Sequence, residues 1–116
     1  MEYRVCRNNP APYNDLNGKI SLLGLGTMRL PLRDAADQAS IDEEKAQEIF
    51  DYAYAHGVNY FDTAYPYHGG MSEKFCGKAL AKYPRASYHL ASKLPGWLLK
   101  CDEDVPRIFN EQLAYC

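Results

Sequence analysis

The sequence predicts an α/β fold in which parallel strands are covered by helices. Short apolar runs without helical period recur at 20–25, 58–62 and 88–93. Amphipathic stripes follow each of them. Strands that alternate with helices in this way imply a parallel sheet with helices packed on it.

A hairpin comes first. Residues 1–19 read as a strand, a long connection and a return, with turn formers through 8–18 and Asn17-Gly18 as the turn signal. Residues 20–25 then read as one buried strand, and Gly26 to Pro31 lead away into a polar loop over 33–39. Ser40 and Glu43 fit a capping box for the first helix. Its inner face carries Ala46, Ile49, Phe50 and Ala53 at i, i+3, i+4 and i+7. Gly57 ends it, since glycine tolerates positive φ, and His56 reads as a helix-end residue facing the last carbonyls. The second strand is 58–62, followed by a loop to Gly70. Ser72 is placed to cap the second helix, whose inner face is Phe75, Cys76, Ala79 and Leu80. The third strand is 88–93, with His89 structural. Asp102 or Asp104 caps the third helix, Pro106 is tolerable in its first turn, and Val105, Ile108, Phe109 and Leu113 form its stripe.

Bulk properties exclude several function classes. A net charge of −2 with no basic block argues against nucleic acid and acidic membrane surfaces as partners. No apolar run is long enough to cross a membrane, and residues 1–6 lack a signal-peptide core. Cys6, Cys76, Cys101 and Cys116 form no Cys-x-x-Cys pair and have no histidine at zinc spacing. They read as reduced thiols in a cytoplasmic protein without a metal site.

Ligands of parallel β/α folds bind at the C-terminal ends of strands. Gly26-Thr27-Met28 follow the first strand, Asp62 ends the second, and Ser92-Lys93 end the third. The loop after Asp62 adds Tyr65, Tyr67 and His68. A free tyrosine ionises at about pH 10 and is a poor acid near neutrality. An ammonium beside it stabilises the phenolate, and a carboxylate holds the ammonium in place. Such a trio can protonate an oxyanion as a hydride reaches a carbonyl carbon. The spacing Gly24-x-Gly26 is no dinucleotide fingerprint, because the third glycine is absent and Pro31 follows instead of a helix.

The run Asp62-Thr63-Ala64-x-x-Tyr67 with Gly69, Gly70, Ser72 and Glu73 resembles the aldo-keto reductase signature. So do Gly57 to Phe61 before it, the segment from Leu23 to Pro31, and Ala91-Ser92-Lys93-Leu94-Pro95. The resemblance runs from about residue 20 onward. It implies a (β/α)8 TIM barrel, present here as the hairpin and about three βα units. Residues 1–116 would be the N-terminal part of that single barrel domain. It implies NADPH- or NADH-dependent reduction of an aldehyde or ketone to an alcohol, with a small-molecule carbonyl as substrate. Asp62, Tyr67 and Lys93 match three of four catalytic positions. Tyr67 would be the general acid, Lys93 the group stabilising its phenolate, and Asp62 the partner of Lys93 beside the nicotinamide ribose. Gly26, Thr27 and Met28, with Asp62, would lie against the cofactor. Trp97 and His68 would line the substrate pocket, and Tyr65 would serve as pocket wall or packing.

The finer pattern around His68-Gly69-Gly70 and Lys93 to Trp97 is closest to a bacterial or archaeal branch. An iron–sulfur cluster is expected only in a longer parent. The fourth catalytic residue, a histidine after the next strand, has no counterpart, since the sequence stops at Cys116. A complete barrel takes about 250 residues. The isolated chain is therefore expected to be inactive and marginally folded. The alternatives to an enzyme are a non-catalytic, cofactor-binding regulatory barrel and an inactive truncated fragment.

Overall fold

The computed structural model describes residues 2–5 and 19–116. Strand β1 (Tyr3–Val5) pairs antiparallel with β2 (Lys19–Ser21), so the expected hairpin forms. The Asn17-Gly18 turn and Cys6 lie outside the described residues. The sheet proper is parallel, in the order β3 (Leu25–Gly26), β4 (Tyr60–Asp62), β5 (His89–Ala91). Helices α1 (Glu43–Ala55), α2 (Ser72–Leu80) and α3 (Asp104–Tyr115) follow the three strands in turn. This is the predicted β/α alternation.

The run 20–25 is not one strand. Its first two residues finish the hairpin in β2, and Leu25 opens β3. Asn59 causes the break. Its Oδ1 accepts from Ser21 N–H at 2.8 Å, and its own N–H donates to Ser21 Oγ at 3.1 Å. Pinned there, the chain bends through exposed Leu22 and Leu23 before it enters the sheet. Gly24 makes that bend possible, since a Cβ there would stand 3.3 Å from both the ring and the carbonyl oxygen of Tyr60.

Burial along β4 follows the period of two. Phe61 is fully buried on the helix side, with Leu25 and Leu90 packed against the same cluster. Phe50 of α1 stacks on Phe61 at 5.2 Å and meets Phe75 of α2 edge-on at 5.4 Å. Each such aromatic stabilises by roughly 1.5–3 kcal/mol through burial alone. The predicted inner face of α2, Phe75, Cys76, Ala79 and Leu80, is buried in full.

Several helix details differ from the sequence reading. The N-cap of α1 is Asp42, whose carboxylate accepts from Lys45 N–H. Ser40 is occupied one turn earlier, accepting from Asp34 N–H and donating to the carbonyls of that loop. Ser72 is the first helical residue of α2 and not its cap, because its hydroxyl points into the protein. In α3, Asp104 is likewise the first helical residue, and its carboxylate accepts from Lys100 and Cys101 N–H. Of that helix's predicted stripe only Ile108 is buried, joined by Gln112, while Val105, Phe109 and Leu113 face outward. On α1, Ile49 is similarly exposed. Gly57 takes the positive φ expected of it, and His56 closes α1 with its Nδ1 2.8 Å from Tyr52 O.

Candidate active site

Three strand ends meet in register. Gly26 lies beside Asp62, and Asp62 beside Ala91. The ladder continues one residue further, with Thr27 N–H donating to Asp62 O at 2.9 Å and Thr63 N–H to Ala91 O at 2.8 Å. Side chains just past these ends share one rim.

Asp62, Lys93 and Tyr67 converge there. Lys93 Nζ lies 2.7 Å from Asp62 Oδ2 and donates to Thr63 O at 2.8 Å. It stands 5.3 Å from the centroid of the Tyr67 ring, within cation–π reach. Burial pulls the Lys93 pKa down, but the hydrogen bond and charge of Asp62, with Tyr67 adding to both, outweigh it. The pKa is held above the ordinary lysine value. The ammonium therefore persists across the neutral range. The Lys93 and Asp62 side chains are 52% and 38% exposed, which leaves the pair open to a ligand. At that exposure it adds under about 1 kcal/mol to stability.

The turn that presents Tyr67 has an uncommon backbone. Tyr67 opens a tight turn to Gly70, in which His68, Gly69 and Gly70 all take positive φ, in the left-handed region. The glycines do so at little cost, but His68 is a side-chain-bearing exception. The surroundings hold it. Leu30 N–H donates to its Nε2 at 3.2 Å, Thr27 O lies 3.0 Å from Nε2, and Gln38 O lies 3.0 Å from Nδ1. The place expected for His68 is thereby corrected. It is buried at 5% exposure and ties the 27–38 segment beneath the Tyr67 turn.

A buried hydroxyl cluster underlies the rim. Ser72 Oγ sits 3.0 Å from Thr27 Oγ1 and 2.9 Å from Thr63 Oγ1, and all three residues are fully buried. It fastens the ends of β3 and β4 to the first turn of α2. The expectation for Thr27 changes accordingly, since its hydroxyl faces this cluster and Asp62 O and not the surface. Gly26 and Met28 are exposed beside it, and Trp97 is exposed in the 3₁₀ turn (Gly96–Leu98) after β5. The two loop tyrosines diverge. Tyr67 faces Lys93, whereas Tyr65 donates to Glu111 of α3 at 2.8 Å.

Glu73 and Gln112 were missed by sequence reasoning as site-building residues. Both are buried, and both bond near Lys93. Glu73 stood within the matched motif. One signal for Gln112 was its i+4 spacing from Ile108, at a place where an apolar residue would be ordinary. Among the described residues no group of three or more His, Cys, Asp or Glu could hold a metal ion, and no helix is long and apolar enough to cross a membrane.

The sequence pattern of the Aldo/keto reductase family matches residues 22–114. A Schizosaccharomyces pombe protein that carries an aryl-alcohol dehydrogenase name is 40% identical over 96 residues, covering 80% of this chain and 26% of that protein. Aldo-keto reductase dtxS3 of Metarhizium robertsii is 49% identical over 55 residues, covering 46% of this chain and 15% of that protein. Among solved structures, the thermostable aldo-keto reductase Tm1743, crystallised with the inhibitor epalrestat, superposes with a TM-score of 0.68 at 27% identity. That match covers 99% of this chain and 38% of Tm1743. The chain spans about a quarter or less of the length of these two curated relatives.

Proposed function

The chain belongs to the aldo-keto reductase family, and from that premise we propose that its rim serves the reduction of an aldehyde or ketone to an alcohol with NADPH or NADH. The observation that carries this reading is Lys93 held between the Asp62 carboxylate and the Tyr67 ring. Residues 1–116 would be the N-terminal part of one barrel domain. They supply the proton-handling side of the reaction.

The residues present fit the nicotinamide end of such a cofactor. Gly26 is exposed, and a Cβ there would meet nothing within 4 Å, so backbone approach is open beside Asp62. The partly exposed Asp62 carboxylate can accept from a sugar hydroxyl. Gly26, Met28 and Asp62 would hold that end, and the bound cofactor would supply the hydride.

This chain's own residues manage the proton. As negative charge develops on the carbonyl oxygen, the Tyr67 hydroxyl donates its proton there, giving the alcohol and a phenolate. The Lys93 ammonium stabilises that phenolate, and Asp62 keeps the ammonium in position. Water then returns a proton to Tyr67. Exposed Trp97, after β5, offers an aromatic wall. Together with the aryl-alcohol dehydrogenase name of a relative, it supports an aromatic carbonyl as substrate. Free thiols at Cys76, Cys101 and Cys116 support a cytoplasmic setting.

The test is a chimaera in which this chain replaces the matching 38% of Tm1743. It should oxidise NADPH in the presence of an aromatic aldehyde, whereas residues 1–116 alone should not. Tyr67→Phe should lower kcat by roughly 10²- to 10⁴-fold, and Lys93→Met by a similar order. An active chimaera whose Tyr67→Phe variant turns over unchanged would refute the assignment.

A further inference from the structure

The Lys93 ammonium sits at the end of a flexible four-carbon stem, so its position depends on what fixes the backbone below it. Strand β5 ends two residues earlier, at Ala91. Past that point the carbonyl of Lys93 accepts a hydrogen bond from Gln112 Nε2 at 3.0 Å. We propose that Gln112 and Glu73 are positioning residues for Lys93: the Gln112 amide grips the Lys93 main chain, and the buried Glu73 carboxylate orients that amide. The proposal rests on the reading of Lys93 as the partner of Tyr67.

The donor count supports this arrangement. Gln112 Nε2 has two protons and three acceptors within reach: Glu73 Oε1 at 2.7 Å, Lys93 O at 3.0 Å and Ser92 Oγ at 3.2 Å. Ser92 Oγ gives its own proton to Glu73 Oε1. The two amide protons therefore go to the two nearer acceptors, Glu73 and Lys93. All three contacts are acceptors, so the nitrogen and not the oxygen of the amide must point inward. Lys93 is thus held at both ends. Its tip meets Asp62 and Thr63, and its carbonyl meets α3.

Packing alone does not account for these residues. Glu73 is 1% exposed and Gln112 7%, and both partners of the Glu73 Oε1 atom are neutral donors. Burying a carboxylate without a paired cation is costly. Its place in the first turn of α2 offsets part of that cost through the helix dipole. A leucine at 112 would continue the stripe from Ile108 without any such cost. What the polar pair adds is a fixed distance between α3 and the main chain that carries the ammonium.

The test follows the Lys93 ammonium by NMR in the full 116-residue chain, labelled at lysine nitrogen, through an alkaline titration. In Gln112→Leu, the Lys93 midpoint should fall to that of an ordinary lysine. Glu73→Gln, which keeps an acceptor for the amide, should retain the native midpoint, whereas Glu73→Leu should lose it. If Gln112→Leu does not fold, Gln112→Met keeps the chain length of the side chain and takes its place. In the Tm1743 chimaera the same variants should lower kcat about 10- to 100-fold with KM for the aldehyde unchanged. A folded Gln112 variant with a native Lys93 titration would overturn the proposal, even if Tyr67→Phe abolishes turnover. A shifted titration alongside a Tyr67→Phe variant that turns over normally would uphold the grip on Lys93 and discard the site reading instead.

Discussion

Helix α2 buries six of its nine residues, and helix α3 two of its twelve. Both carry an apolar stripe of helical period, so the stripe itself does not explain the difference. Position does. Helix α2 packs against α1 on one flank and α3 on the other. Helix α3 packs against α2, and beyond it Val105, Phe109 and Leu113 stand 41–63% exposed. Helix α1 has the same asymmetry on the opposite side. There Ile49 and Tyr52 join Leu23 and Leu25 in an open apolar groove of about 420 Å³. A stripe becomes core only where elements stand on both sides of it.

Substitutions should expose this contrast, and the largest effect belongs to the centre. Phe75→Ala on α2 empties a site that is 4% exposed, and should cost about 3–5 kcal/mol in a urea unfolding experiment. Phe109→Ala on α3, at 52% exposed, is its counterpart at the small end and should stay within about 0.5 kcal/mol. Equal losses at the two positions would show that α3 is covered in solution.

The seam between the two helices comes second. A Cβ at Gly77 would lie 1.9 Å from the carbonyl oxygen of Tyr115, which is backbone and cannot swing aside. Gly77→Ala should therefore force α3 away from α2. The overpacking cost of about 1–3 kcal/mol exceeds the helix-propensity gain of up to about 1 kcal/mol. Faster amide exchange along α3, with α1 unaffected, would locate the damage.

Acid should act on the α1–α2 flank, and more weakly. Asp51 accepts from Lys82 at 2.6 Å, from Gln47 at 2.8 Å and from the Tyr83 hydroxyl. The hydrogen bond from Lys82, followed by that from Tyr83, lowers its pKa from 3.8 to about 2. Burial, then the neighbouring Asp51, pushes Tyr83 up to about 12. A carboxylate depressed in the folded state stabilises above its unfolded pKa, and that contribution is lost as pH falls from about 4 through about 2. Because Asp51 is 39% exposed, the loss should stay under about 1 kcal/mol. Asp51→Asn should flatten that limb of the stability–pH curve. An unchanged limb would mean the ion pair is too well solvated to matter.

The same division runs through the sequence reading. Element order was legible because it rests on local periodicity, with Gly57 as punctuation. Phe75, Cys76, Ala79 and Leu80 were legible as an inner face for the same reason. Boundaries that depended on a distant partner were not. Asn59 splits the run 20–25 from nearly 40 residues away, and the hydroxyl of Ser72 leaves its cap position for Thr27 and Thr63. At the candidate site, residue types around the strand ends pointed to Asp62, Lys93 and a loop tyrosine, and the family resemblance singled out Tyr67; in the structure Lys93 lies between the Asp62 carboxylate and the Tyr67 ring. His68 and Thr27 were placed on the rim by position in the chain, but backbone carbonyls and a buried hydroxyl cluster draw them inward.

By itself, then, the sequence determined the alternation of strands and helices and the chemical types gathered where the strands end. Those follow from side-chain period and from the fixed direction of parallel strands. Only the tertiary structure decided which apolar stripes become core, and which polar residues are turned inward. It also decided that Gln112 reaches Lys93 and that Glu73 reaches Gln112, because those contacts depend on residues far apart in the chain meeting at about 3 Å, a distance no local pattern encodes.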